Sequence, residues 1–147
     1  MSGVKRAQEP EAPATVPALS KRGARRAIQR AFVLAGRERA IRQHLRNASF
    51  TILWIIEDWG LEWTAICDRG RIEFHRGRAG KPQLTYTWVT AEDFLARFEP
   101  GKTPGEQPQL QGDLRLRRLA EPVFDAFMDS LHGVLTNPVD DEGERLI

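Results

Sequence analysis

Residues 84–131, LTYTWVTAEDFLARFEPGKTPGEQPQLQGDLRLRRLAEPVFDAFMDSL, decide the fold. Leu84, Tyr86 and Trp88 alternate with Thr85, Thr87 and Val89, which is the period of a strand. Thr90 followed by Asp93 is close to a capping box, with Asp93 in place of the usual Glu or Gln. The helix it opens puts Phe94, Leu95 and Phe98 on one face. Pro100, Gly101, Pro104, Gly105 and Pro108 then mark a loop. Leu110, Gly112, Leu114 and Leu116 alternate with Gln111, Asp113, Arg115 and Arg117 and predict a further strand. A last helix carries Val123, Phe124, Phe127, Met128, Leu131, Val134 and Leu135 along one stripe and stops at Asn137-Pro138.

Working outward, residues 50–58 hold Phe50, Ile52, Trp54 and Ile56 in one phase and Thr51, Leu53 and Ile55 in the other. Both phases are mostly apolar, which suits a central strand covered on both sides. Trp59-Gly60 turns the chain into a second strand with Leu61, Trp63, Ala65 and Cys67 in phase. Asp68-Arg69-Gly70-Arg71 is a hairpin signal, and a third strand with Ile72 and Phe74 follows to Arg76. Upstream, Ser20 is placed to cap a helix running to about Asn47, with Ala24, Ile28, Phe32, Ala35, Ile41 and Leu45 as its apolar stripe. Gly36 is where that helix is expected to split. Residues 1–19, with Pro10, Pro13 and Pro17 among Ala and Glu, read as a flexible tail, and residues 138–147 as an acidic one. The domain proper is 20–137. Five strands in largely meandering order, with helices before, between and after, predict an α+β fold: a mostly antiparallel five-stranded sheet covered by helices.

The element order, together with Glu92-Asp93-Phe94-Leu95, Gly101-Lys102-Thr103-Pro104, the 110–116 strand and a helix carrying Val123, Phe124 and Phe127, resembles the sterol carrier protein type 2 family. The resemblance covers roughly residues 24–135 and is strongest after Leu84. It implies the same α+β architecture with an apolar tunnel for fatty acyl or sterol-like ligands and no bond-breaking. The lining it implies is Phe94, Leu95 and Phe98 on the short helix, Leu114 and Leu116 on the strand, and Phe124, Phe127, Met128 and Leu131 on the last helix. The chain departs from the family pattern at Arg117-Arg118, where members often carry Gly with a small polar residue, and in its Arg-rich first helix.

The residues themselves offer little else for catalysis. His44, His75 and His132 fall on three different elements, none in a helical metal-pair spacing. Cys67, the single cysteine, alternates in phase with Leu61, Trp63 and Ala65 and reads as a small core residue; alone it excludes a disulfide within the chain. Glu57 and Asp58 read as the polar end of a strand. Gly101-Lys102-Thr103 lacks the upstream glycine of a phosphate loop. Neither an enzyme nor a cofactor is expected. Trp54, Trp59, Trp63, Trp88 and the phenylalanines suit an ordinary core as well as a cavity wall, and the resemblance favours the cavity. A rival reading is an accessory or interaction module of a lipid or isoprenoid pathway with its core filled.

No apolar run approaches the roughly 20 residues of a spanning helix, and the first residues lack a signal-peptide core, so the expected location is cytoplasmic. The formal net charge is only +2, yet Lys21 to Arg46 holds nine Lys or Arg against one acid, Glu38. Arg25, Arg26, Arg30, Arg37 and Arg42 are the expected contacts with an anionic membrane surface. A plain solvated face, nucleic acid and a second subunit are the alternatives; no nucleic-acid motif accompanies the arginines.

Overall fold

The computed structural model describes residues 19–98, 105–139 and 142–145. Of the expected tail over residues 1–19 only Leu19 is described, half-buried against the core; the rest of it, the Gly101–Pro104 landmark and part of the acidic tail lie outside these residues. Ser20 caps α1 (Lys21–Arg37), its hydroxyl oxygen accepting the Gly23 N–H at 3.0 Å. Ala24, Ala27, Ile28, Ala31, Phe32 and Ala35 are the buried stripe. The break before α2 (Arg39–His44) falls at Glu38, which is extended, and not at Gly36. Gly36 stays helical; a Cβ there would lie 3.8 Å from that of Ile72.

The strands are β1 (Ser49–Ile56), β2 (Leu61–Asp68), β3 (Arg71–Arg76), β4 (Leu84–Trp88) and β5 (Gln109–Gly112), in sheet order β3-β2-β1-β4-β5. Three pairings are antiparallel; β1 and β4 are parallel, so the sheet is mixed. Arg69 and Gly70, at φ 49° and 91°, close the β2–β3 hairpin in the left-handed region, as the sequence signal requires.

One face of the sheet carries Trp54, Trp63, Phe74, Tyr86 and Trp88, in register across the strands. Phe32 of α1, Phe94 of α3 (Ala91–Ala96) and Phe124 and Phe127 of α4 (Arg117–Thr136) all pack their rings on that face. The helices therefore cover one face of β1, the central strand. The opposite face is closed at Thr64, which is fully buried, by the loop that crosses from β3 to β4. Thr64 Oγ1 donates to the Gly77 carbonyl at 2.7 Å and accepts the Ala79 N–H at 3.1 Å. Both strand phases of β1 are apolar because one faces the helices and the other includes Leu53, buried beside Thr64.

The fifth strand is shorter than expected. It ends at Gly112, and Leu114 and Leu116 stand in a 3₁₀ turn leading directly into α4. Gly112 has φ 112°, and a Cβ on it would overlap the Gln83 carbonyl oxygen. That conformation turns the chain out of the sheet, and Asp113 secures the exit: its Oδ1 accepts the Arg115 N–H at 3.2 Å and Nε–H at 2.9 Å. The hydrogen bond from the Arg115 guanidinium holds the Asp113 carboxyl below its ordinary range. A glycine inside an alternating pattern marks such a close backbone approach.

Candidate functional site

Trp54 is the centre of the helical side of the sheet. Its ring stacks on Tyr86 at 4.8 Å, Phe124 at 5.8 Å, Trp63 at 6.1 Å and Trp88 at 6.3 Å, and meets the edge of Phe32 at 5.5 Å. Phe127 lies between the helices and this plane, stacked on Phe32 at 4.1 Å. The cluster follows from two sequence periods: every second residue of β1, β2 and β4 points toward the helices, and Phe124 and Phe127 are one helical turn apart. Neither the Trp54 nor the Trp63 indole N–H meets a hydrogen-bond acceptor, although both side chains are buried.

Beside this cluster a groove of about 320 Å³ opens between α4 and the β4–β5 edge, with Tyr86, Leu110, Phe124, Pro108 and Glu121 among its lining residues. Phe124 is half-buried, and the Arg97 guanidinium stands 5.6 Å from its ring centre. Burial, followed by the charge of Glu121, pushes the Tyr86 hydroxyl up to about 12, so it is a neutral donor at any ordinary pH. Tyr86 and Phe124 are thus both wall of the groove and members of the stack.

The expected lining residues separate into three groups. Phe94, Phe124 and Phe127 join the aromatic cluster, Phe94 meeting Trp88 at 4.9 Å edge-on. Phe98, Met128 and Leu131 are buried at its rim, Phe98 lying between Phe94 at 5.8 Å and His132 at 6.2 Å. Leu95 and Leu116 are half-buried, and Leu114 is 57% exposed and outside the cluster because the strand that was to carry it ends at Gly112. Tyr86 and Leu110 were not among the lining candidates. The period-two pattern put Tyr86 in phase with Leu84 and Trp88 of its own strand; the register with β1 and β5 brings Trp54 and Leu110 onto the same face.

The titratable groups hold structural posts. Asp58 Oδ1 accepts the Ala91 N–H at 2.8 Å, and Thr90 Oγ1 accepts that of Asp93 at 3.0 Å, so both serve the start of α3. Cys67 is buried, and desolvation raises its thiol to about 12. His44 lies 3.3 Å from the Leu119 carbonyl and His75 3.1 Å from Glu73, on separate elements. Among the described residues no three His, Cys, Asp or Glu gather as a metal site.

At the opposite edge of the helical layer a concavity of about 570 Å³ lies between α1 and β3, lined by Arg22, Arg25, Arg26, Gln29, Arg30, Val33 and Arg76. Of the five expected surface-contact arginines, Arg25, Arg26 and Arg30 line it. Arg37 and Arg42 are exposed elsewhere. No helix among the described residues is long and apolar enough to cross a membrane.

No protein-family model matches the chain, and no curated protein matches it significantly. Among solved structures the fold is similar to a chain named UbiJ-SCP2 ubiquinone synthesis protein, with 11% sequence identity and a TM-score of 0.47, over 71% of this chain and 94% of that one.

Proposed function

We propose that the protein is a non-enzymatic binder or carrier of a hydrophobic ligand of fatty acyl or sterol-like kind, received through the groove between α4 and the β4–β5 edge. The observation that carries this reading is the continuity of the groove with the aromatic stack: Phe124 and Tyr86 line the one and belong to the other. An outward swing of half-buried Phe124 would let an apolar chain reach Trp54 and Trp88. Transfer would be driven by burial, at about 0.8 kcal/mol per CH₂. The two indole N–H groups without acceptors favour a ligand with a carbonyl or hydroxyl oxygen, since a buried donor left unpaired costs about 1–3 kcal/mol. The arginine face of α1 would supply transient contact with anionic membranes, weakened by salt.

Organic extraction of freshly purified protein, followed by mass spectrometry, tests the ligand. A co-purifying lipid, with quenching of tryptophan fluorescence on adding it back, is the expected result. No extracted lipid together with no binding of fluorescent fatty acids overturns it. The membrane contact is tested by flotation with neutral and anionic vesicles; equal binding to both rejects it. The tight packing of the stack favours one second reading, an interaction module whose core is full, and the failed extraction is its signature.

A further inference from the structure

We infer that the concavity between α1 and β3 is a binding site for a multiply charged phosphate group, such as a phosphomonoester or a diphosphate. Arg22, Arg25, Arg26 and Arg30 recur at three- and four-residue steps, so α1 presents them along one side, and Arg76 arrives from a different element, the end of β3. Among the described residues no carboxylate lines the space. Among the described residues, Arg22, Arg25, Arg26 and Arg76 form no ion pair. The contrast with Arg78 is direct: two residues further on, it forks onto Glu62 with two bonds of 3.1 Å.

Like charges three and four residues apart destabilise a helix. Arg22 stands at these spacings from Arg25 and Arg26, so this end of α1 carries an electrostatic penalty that a bound polyanion would relieve. Guanidinium groups suit that role, because their planar forks match phosphate oxygens two at a time. The volume, about 570 Å³, is that of a small-molecule pocket and exceeds what one phosphate needs. Gln29 and the exposed Val33 line the remainder and offer an amide and an apolar contact to whatever bears the phosphate.

The site is independent of the apolar ligand at the β5 edge and differs from a diffuse basic face in requiring Arg76. Isothermal titration of the full chain with inorganic pyrophosphate, at constant ionic strength, is the test. Saturable binding is expected, weakened roughly tenfold or more by Arg76→Gln and by Arg25→Gln, the loss of one charged hydrogen-bonded contact. Arg39→Gln, which removes the same charge from α2 outside the concavity, should change the affinity less than twofold; the unfolding midpoint of each variant verifies its fold. Absence of saturable binding, or equal weakening by Arg39→Gln and Arg76→Gln, overturns the inference, and so does a single-stranded oligonucleotide that binds as well to Arg76→Gln as to the parent while pyrophosphate fails to compete. Vesicles of phosphatidylcholine with phosphatidic acid or with phosphatidylserine, matched in surface charge, identify the source of the phosphate. A preference for phosphatidic acid that Arg76→Gln abolishes supports a lipid headgroup. No preference, with pyrophosphate binding intact, supports a soluble ligand.

Discussion

The β3 edge and the β5 edge of this molecule lie under the same layer of helices yet present opposite chemistry. At the β3 edge α1 packs through alanines and Phe32, and its outer side bears guanidinium groups around an open concavity. At the β5 edge α4 packs through Phe124 and Phe127, and the adjoining groove is walled by Tyr86 and Leu110. Small residues let α1 sit close to the strands and leave long polar side chains at its margin. Large rings on α4 fill the interior and continue to the surface. A two-layer α+β fold can thus carry a charged recognition surface and an apolar one on a shared core.

That core is where the comparison breaks most easily. Phe127→Ala should remove about 3–5 kcal/mol of stability, because its ring is fully buried against Phe32, Trp54 and Trp63. Chemical denaturation measures it; a loss below about 1 kcal/mol would mean the two edges do not share this centre. Gly112→Ala should be next, at about 2–3 kcal/mol, since the added Cβ overlaps the Gln83 carbonyl oxygen. Its effect should stay at the β5 edge: amide exchange should rise in β5 and not in β3.

Phe124→Ala is expected to cost about 1–2 kcal/mol, as half-buried rings do, while opening the groove toward Trp54. Binding of a fluorescent fatty acid should strengthen severalfold, and an unchanged affinity would remove Phe124 from the entry path. The edges should also part in alkali. The unfolded chain loses its tyrosine proton near pH 10, whereas folding raises Tyr86 to about 12. The unfolded state is then the one with fewer protons, so stability is full below pH 10 and falls as pH rises across that window. Cys67 acts in the same sense from its ordinary value of 9.0 toward about 12. Denaturation midpoints from pH 8 to 11, beside a Tyr86→Phe variant, measure the Tyr86 share. Smallest of all, Arg39→Gln should move stability by no more than about 0.5 kcal/mol, as an exposed substitution away from both edges.

Much of this was legible in the chain itself. Period-two alternation gave Trp54, Trp63, Tyr86 and Trp88 their phase within each strand, and the apolar stripes of α1 and α4 supplied the layer that covers them. Ser20 and Thr90 announced two helix starts, Asp68 to Arg71 a hairpin, and the in-phase Cys67 a buried thiol; each is a local rule acting over a few residues. Partnerships between distant segments were decided only in three dimensions. The parallel pairing of β1 with β4 depends on where the loop after β3 lands, and Thr64 holds the start of that loop by bonding Gly77 and Ala79. Gly112 looked like the middle of a strand and is its last residue, with the Gln83 carbonyl lying against it, and Leu114 left the lining for that reason. Arg76 joined the arginines of α1 because a strand end and a helix side met. Periodicity assigns each side chain a face, but the neighbours across that face are set by long-range packing.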